Sequence, residues 1–484
     1  MDDLKQKAVR GGLVKLTGQA LNFAVRMSSL MIVARLLEPA DFGLVAMVTS
    51  ITEVYGLFRD GGLSAASIQQ ANITQAQKSA LFWINMLVGG MLTVICILTA
   101  PVIAHFYGEP RLFWITIALS SGFIIDAAGA QHHVILERQL RYTELTLIDA
   151  FNVTACALIT IVAAVAGFGY WSMVISTAIW PVINTGALWA TTRWKPGLPR
   201  RNARIASMLH FGGAVALSNI VSYVTSSLDK VLLGRFWGAD ALGLYGRAMQ
   251  MINIPISKLN GEMGTIAFSA LSRLQHDPPQ FKNYFLKGYG LVMTMTAPIT
   301  LFSAAFADDI TLVILGPKWI EAATIFRLLT PTVLILGIIK ATSWLLLSLG
   351  LQRRNLAIGL VVAPLCIMSY LIGLPYGPQG IALAYSTAMA LWVVPHLIWC
   401  LKDTMISVRE FLLAMGPAMG SAAMAVAVAF VASSYVGHLQ SPFWRLLFAG
   451  CVMGGVYVCM LLFIMGQKGF YLGLLSQLWT SRRP

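Results

Sequence analysis

A chain of 484 residues that is 57% apolar and 11% charged, with a formal net charge of +14 and a mean hydropathy of +0.73, lacks the balance of a water-soluble domain, in which about a quarter of residues are charged. Those figures exclude a soluble enzyme built around a single buried core. A bilayer interior about 30 Å thick needs about 20 apolar residues per helical crossing, and such stretches run from one end of the chain to the other with short polar breaks.

The polar segment Met1–Gly12 precedes an apolar run as long as a full crossing, with no small-residue cleavage signature, so no cleaved signal peptide is expected. The spacing of apolar runs predicts about fourteen spans, near 13–36, 41–66, 79–104, 112–132, 145–166, 169–191, 205–234, 239–266, 283–307, 323–349, 355–374, 379–401, 411–434 and 443–465. Helix is the required state, because backbone groups in lipid must be satisfied within the segment and these runs are too long for barrel strands. Pro181, Pro255, Pro298, Pro331, Pro364, Pro395 and Pro417 fall inside spans and are expected kink positions. The six cysteines and the histidines show neither metal-ligand spacing nor a disulfide pattern, so no metal and no cofactor is expected.

The basic residues decide the topology. With the N-terminus in the cytoplasm, about 20 loop cations lie inside, among them Lys5, Arg10, Arg138, Arg141, Arg193, Arg200, Arg201, Arg204, Arg353 and Arg354, against about five outside (Arg35, Arg111, Arg235, Lys318, Arg445). Both termini are therefore expected in the cytoplasm. Most of the net charge becomes a topology signal, which removes nucleic acid as a partner. Arg35-Leu36-Leu37 with Gly43-Leu44 recurs 200 residues on as Arg235-Phe236-Trp237 with Gly243-Leu244. This match predicts two six-helix lobes related by a pseudo-two-fold axis, with a cavity between them, plus two C-terminal helices: residues 1–200, 201–402 and 403–484. The expected fold class is all-α integral membrane.

Charges inside spans each cost at least about 2.5–3.5 kcal/mol at the bilayer centre unless they face protein or water. Span 1 carries Lys15, Gln19, Asn22, Arg26 and Ser29 at steps of three or four, hence on one face. Span 2 carries Thr49, Glu53 and Asp60 with Arg59 beside them; span 7 carries Asn219, Tyr223, Ser226, Asp229 and Lys230; span 8 carries Arg247, Gln250, Ser257, Lys258 and Glu262. One reading is mutually neutralising pairs such as Arg59–Asp60, Asp229–Lys230 and Lys258–Glu262 that hold helices together. The other is a water-filled cavity in which Asn22, Arg26, Arg59, Lys230, Arg247, Lys258 and Lys340 hold an anionic substrate, with Glu53, Asp60 and Asp229 as candidates for proton or cation coupling. Asp126 and Asp149 are read as solvated near cytoplasmic helix ends. No Gly-rich phosphate loop, zinc motif or serine-nucleophile motif occurs, so no enzymatic activity is expected.

The run Leu228-Asp229-Lys230-Val231-Leu232-Leu233-Gly234-Arg235, continuing to Leu242-Gly243-Leu244-Tyr245-Gly246-Arg247-Ala248, resembles the signature of Wzx-type polysaccharide flippases of the multidrug/oligosaccharidyl-lipid/polysaccharide exporter superfamily. Phe42-Gly43-Leu44, Asp60-Gly61-Gly62-Leu63-Ser64-Ala65-Ala66 and Leu315-Gly316-Pro317-Lys318-Trp319 extend the resemblance over nearly the whole chain, which looks most similar to colanic-acid and other exopolysaccharide exporters. The resemblance implies translocation of an undecaprenyl-pyrophosphate-linked oligosaccharide from the cytoplasmic to the periplasmic leaflet of a bacterial inner membrane, by alternating access. The polymerase and chain-length regulator of the pathway are the further partners it suggests. Cavity arginines in helices 1, 2 and 8 of the related lipid II flippases correspond by helix to Arg26, Arg59 and Arg247. Two alternatives remain: a drug or cation antiporter of the same superfamily, which favours acids and aromatics in its cavity, and a multispan polyprenyl glycosyltransferase or polymerase, which needs a larger outside loop than this chain supplies.

Overall fold

The computed structural model describes residues 2–60, 74–198, 223, 227–254, 270–435 and 441–469, with the side chains of residues 1–16 and 57–60 left out. Every regular element among the described residues is helical, as the bilayer requires of backbone that has no water to bond. Nine helical segments among them are long and apolar enough to cross a membrane. The chain divides into two compact units, Met1–Gly243 and Leu244–Pro484.

In the first unit the helices are α1 (Asp2–Leu36), α2 (Pro39–Asp60), α3 (Gln75–Tyr107), α4 (Arg111–Arg138), α5 (Tyr142–Val165) and α6 (Trp171–Thr192), followed by helical residues 227–243. The starts and stops follow local chemistry. Thr74 caps α3 in a reciprocal box, its hydroxyl accepting from Gln77 N–H at 3.2 Å while Gln77 Oε1 accepts from Thr74 N–H at 2.9 Å. Gly108 ends α3 in the left-handed conformation, φ +69°. In the α3–α4 turn, Arg111 Nε donates to Glu109 Oε1 at 2.8 Å, and this hydrogen bond holds the Glu109 carboxyl below its ordinary value. Helix α4 is the hub, packing against α2, α3 and α6, while α1 lies on α5.

The internal repeat has a structural counterpart. A Cβ added to Gly43 would lie 1.7 Å from the Ala239 carbonyl oxygen, and one added to Gly243 would lie 1.9 Å from the Pro39 carbonyl oxygen. Residue 43 meets 239 and residue 243 meets 39, the reciprocal pattern of a two-fold contact between sequences offset by 200. Only glycine permits backbones this close.

In the second unit the helices are α7 (Pro278–Ala305), α8 (Ala307–Ile314), α9 (Ile320–Leu329), α10 (Pro331–Ser348), α11 (Gln352–Gly373), α12 (Gly377–Leu401), α13 (Val408–Tyr435) and α14 (Pro442–Cys459), the last running into a π turn, Met460–Ile464. Asp277 caps α7 by accepting from Gln280 N–H at 3.1 Å. The ring stack of Phe285, Tyr289 and Phe411, with the last two centroids 4.0 Å apart, joins α7 to α13. Pro181, Pro298, Pro364, Pro395 and Pro417 lie within helices, as expected. Pro331 differs: it starts α10 directly after α9, where its missing N–H falls on a first-turn position without an intrahelical acceptor. Pro255 lies outside the described residues.

Candidate functional site

The polar interior of the first unit is assembled by α1, α2, α4, α5 and α6. Arg26 is exposed on α1, with its guanidinium 5.6 Å over the ring of Trp180 on α6, a cation–π distance. One turn earlier Asn22 is 8% exposed and donates from Nδ2 to Asp149 Oδ2 at 2.6 Å, tying α1 to α5. Its Oδ1 is buried without a hydrogen-bond partner among the described residues.

A cavity of about 450 Å³ opens among α2, α4, α5 and α6, lined by Thr49, Thr52, Glu53, Asp126, Ser176, Thr177 and Trp180. Its volume falls in the range of small-molecule sites, about 300–1,000 Å³. Residues four apart share a helix face, which is why Thr49 and Glu53 reach it together. The Tyr223 hydroxyl lies 2.9 Å from Glu53 Oε2 and 3.2 Å from the Ser50 carbonyl oxygen, with one proton to donate between them. Asp229 is 1% exposed and accepts from the Lys230 N–H at 2.8 Å through Oδ1. Lys230 is half-buried.

In the second unit Arg247 is half-buried and donates to Gln250 one helical turn on, and Lys340 is exposed on α10. Of the other candidates, Arg59, Asp60 and Lys258 lie outside the described side chains.

Thr52, Asp126, Ser176, Thr177 and Trp180 escaped sequence reasoning as cavity residues, and two of them show why. Asp126 looked solvated because span 4 was taken to stop near 132, but α4 continues to Arg138, so Asp126 sits about three turns inside the helix and faces the cavity. A charge that deep inside an apolar helix was the available signal. Trp180 had none: a tryptophan beside Pro181 within an apolar run looks the same whether it faces lipid or a cavity.

Fold and site together define a multi-pass helical membrane protein with an open cavity inside its first unit, where two acids and four hydroxyls share the wall with apolar side chains such as Leu119 and Phe123. The chain belongs to the polysaccharide biosynthesis protein family, whose model matches residues 32–324, more than half its length. It is 28% identical over 284 residues to the teichuronic acid biosynthesis protein TuaB of Bacillus subtilis, covering 58% of each chain, and 22% identical over 332 residues to the lipopolysaccharide biosynthesis protein WzxC of Escherichia coli, covering 67% of each. The aligned region is thus about three-fifths of the length of the first of these relatives and two-thirds of the second. Among solved structures, the lipid II flippase MurJ in an inward closed conformation superposes with a TM-score of 0.75 at 13% identity, over 96% of this chain and 100% of its own. At that identity the likeness is one of fold.

Proposed function

We propose that the protein flips an undecaprenyl-pyrophosphate-linked oligosaccharide from the cytoplasmic to the periplasmic leaflet of the bacterial inner membrane for exopolysaccharide synthesis, with both termini cytoplasmic and no catalytic step. The observation that carries this reading is the cavity of about 450 Å³ with Glu53, Asp126 and four hydroxyl side chains in its wall, and Arg26 held over its Trp180. Such a cavity is costly to keep in an apolar protein unless a polar cargo passes through it. Family membership points to the same class of cargo. Arg26, with Asn22 beside it on α1, and Arg247 are the proposed pyrophosphate ligands, since a planar guanidinium makes two charge-assisted hydrogen bonds to phosphate; Arg59, Lys230, Lys258 and Lys340 contribute positive potential. Alternating access moves the head group, and the membrane potential assists an outward-moving anion by about 2.3 kcal/mol per charge per 100 mV. Asp229, which is more buried than Glu53, binds with Glu53 and Asp60 the proton or cation that resets the cycle.

The direct test is reconstitution of the full chain in liposomes with a fluorescent polyprenyl-pyrophosphate-linked oligosaccharide, reading the labelled lipid that becomes accessible in the opposite leaflet. Protein-dependent flipping supports the proposal, and rates equal to empty liposomes refute it. The acids and the tryptophan that line the cavity favour a second reading, antiport of an organic cation. That reading requires accumulation of a quaternary ammonium dye against a proton or sodium gradient, and the same liposomes measure it.

A further inference from the structure

We infer that the cavity of the first unit is the subsite for the first sugar of the cargo, with Trp180 as its stacking platform, Glu53 and Asp126 as acceptors for sugar hydroxyls, and a preference for an uncharged pyranose. The inference rests on the flippase reading above and assigns the part of the head group that the arginines do not. In a pyrophosphate-linked glycan a single oxygen joins the first ring to the phosphate, so a pyrophosphate held by Arg26 puts that ring against whatever lies next to the guanidinium. What lies next to it is the Trp180 indole, 5.6 Å away, which also forms part of the cavity wall. Aromatic faces pack on the apolar C–H face of a pyranose while its hydroxyls point outward to hydrogen-bonding groups.

Those groups are present at the walls. Glu53 engages Tyr223 through Oε2 at 2.9 Å, which leaves Oε1 to accept from the cargo. Asp126 faces the cavity from α4. Thr52 is 6% exposed and lines the cavity, which adds a hydroxyl to the wall that can both donate and accept. Glu53 and Asp126, the carboxylates among the lining residues, face no cationic side chain in that lining. A uronate in this position would bring a third carboxylate beside Glu53 and Asp126, where the side-chain hydroxyl donors are the neutral Thr49, Thr52, Ser176 and Thr177, and like charges placed together are strongly disfavoured. The geometry therefore suits a neutral hexose or hexosamine.

The test uses the full chain in liposomes with three probes on one polyprenyl-pyrophosphate carrier: a neutral disaccharide, the same disaccharide with a uronic acid as its first sugar, and the bare carrier. Expected in the unaltered protein is neutral over uronate by about tenfold or more. Trp180→Ala lowers the ratio of neutral glycan to bare carrier flipping by about tenfold, while Trp180→Phe, which retains a stacking face, holds that ratio within about threefold. Asp126→Asn, close in shape to the original, narrows the neutral-to-uronate preference to within about threefold. Equal rates for neutral and uronate probes in the unaltered protein, or Trp180→Ala leaving the glycan-to-bare ratio unchanged, overturns the subsite and leaves the flippase reading standing. Failure of the unaltered protein to move any of the three probes overturns both.

Discussion

Alanine at Gly43 tests whether the reciprocal glycine crossing closes the outer side of the protein. The added Cβ would stand 1.7 Å from the Ala239 carbonyl oxygen and 2.4 Å from its carbonyl carbon. Both obstacles are main chain, so no rotamer change relieves them. Carbon–oxygen contacts settle at about 3.3–3.6 Å, which requires α2 and helical residues 227–243 to part by roughly 1.6–1.9 Å. Overpacking of this kind costs about 1–3 kcal/mol, a shift of about 5- to 150-fold in a two-state population. In the proposed cycle the shift disfavours the state in which this crossing is closed. Spin labels at Glu38 and Asp240, both exposed, read the opening as a longer and broader distance distribution, and the flipping rate should fall with it. Gly243→Ala should act alike, because its Cβ would meet the Pro39 carbonyl oxygen at 1.9 Å. The double variant should add little to either single one, since helices already parted by the first methyl accommodate the second. Unchanged label distances and unchanged flipping in both single variants would refute the idea that this contact gates transport.

The remaining predictions concern topology, the cationic sites and coupling. A cysteine at Arg201 should resist a membrane-impermeant thiol reagent applied from the periplasm and react once the membrane is opened; periplasmic labelling would reverse the assigned orientation. Arg26→Ala and Arg247→Ala should each abolish polysaccharide export at normal protein level in the membrane, and lysine should restore only part of it because the bidentate fork is lost; normal export in both alanine variants would make these side chains structural. Asp229→Asn should retain substrate binding but lose turnover, measured as lipid flipping with and without an imposed proton or sodium gradient and potential. Full turnover in that variant with the gradients collapsed would remove coupling from Asp229.

What the sequence by itself determined was set by the solvent. Apolar runs too long for strands, in a medium that leaves no backbone group unsatisfied, permit only helices, and α11 (Gln352–Gly373), α12 (Gly377–Leu401) and α13 (Val408–Tyr435) accordingly fall within a few residues of the predicted spans 355–374, 379–401 and 411–434. The 200-residue repeat was likewise legible, because the Gly43 and Gly243 positions tolerate no other side chain at a backbone crossing. Helix periodicity also put Asn22 and Arg26, and Thr49 and Glu53, on common faces. Which faces meet was left to tertiary structure, because a stripe carries no record of its partner. Arg26 finds Trp180, and Asn22 finds Asp149, across 154 and 127 positions of sequence. Asp126 turned from a solvated helix end into a cavity wall when α4 proved about a turn and a half longer than its apolar run. Hydrophobicity ends where the bilayer ends, whereas a helix ends where its hydrogen bonds do, and the depth of a charge depends on the second boundary as much as the first.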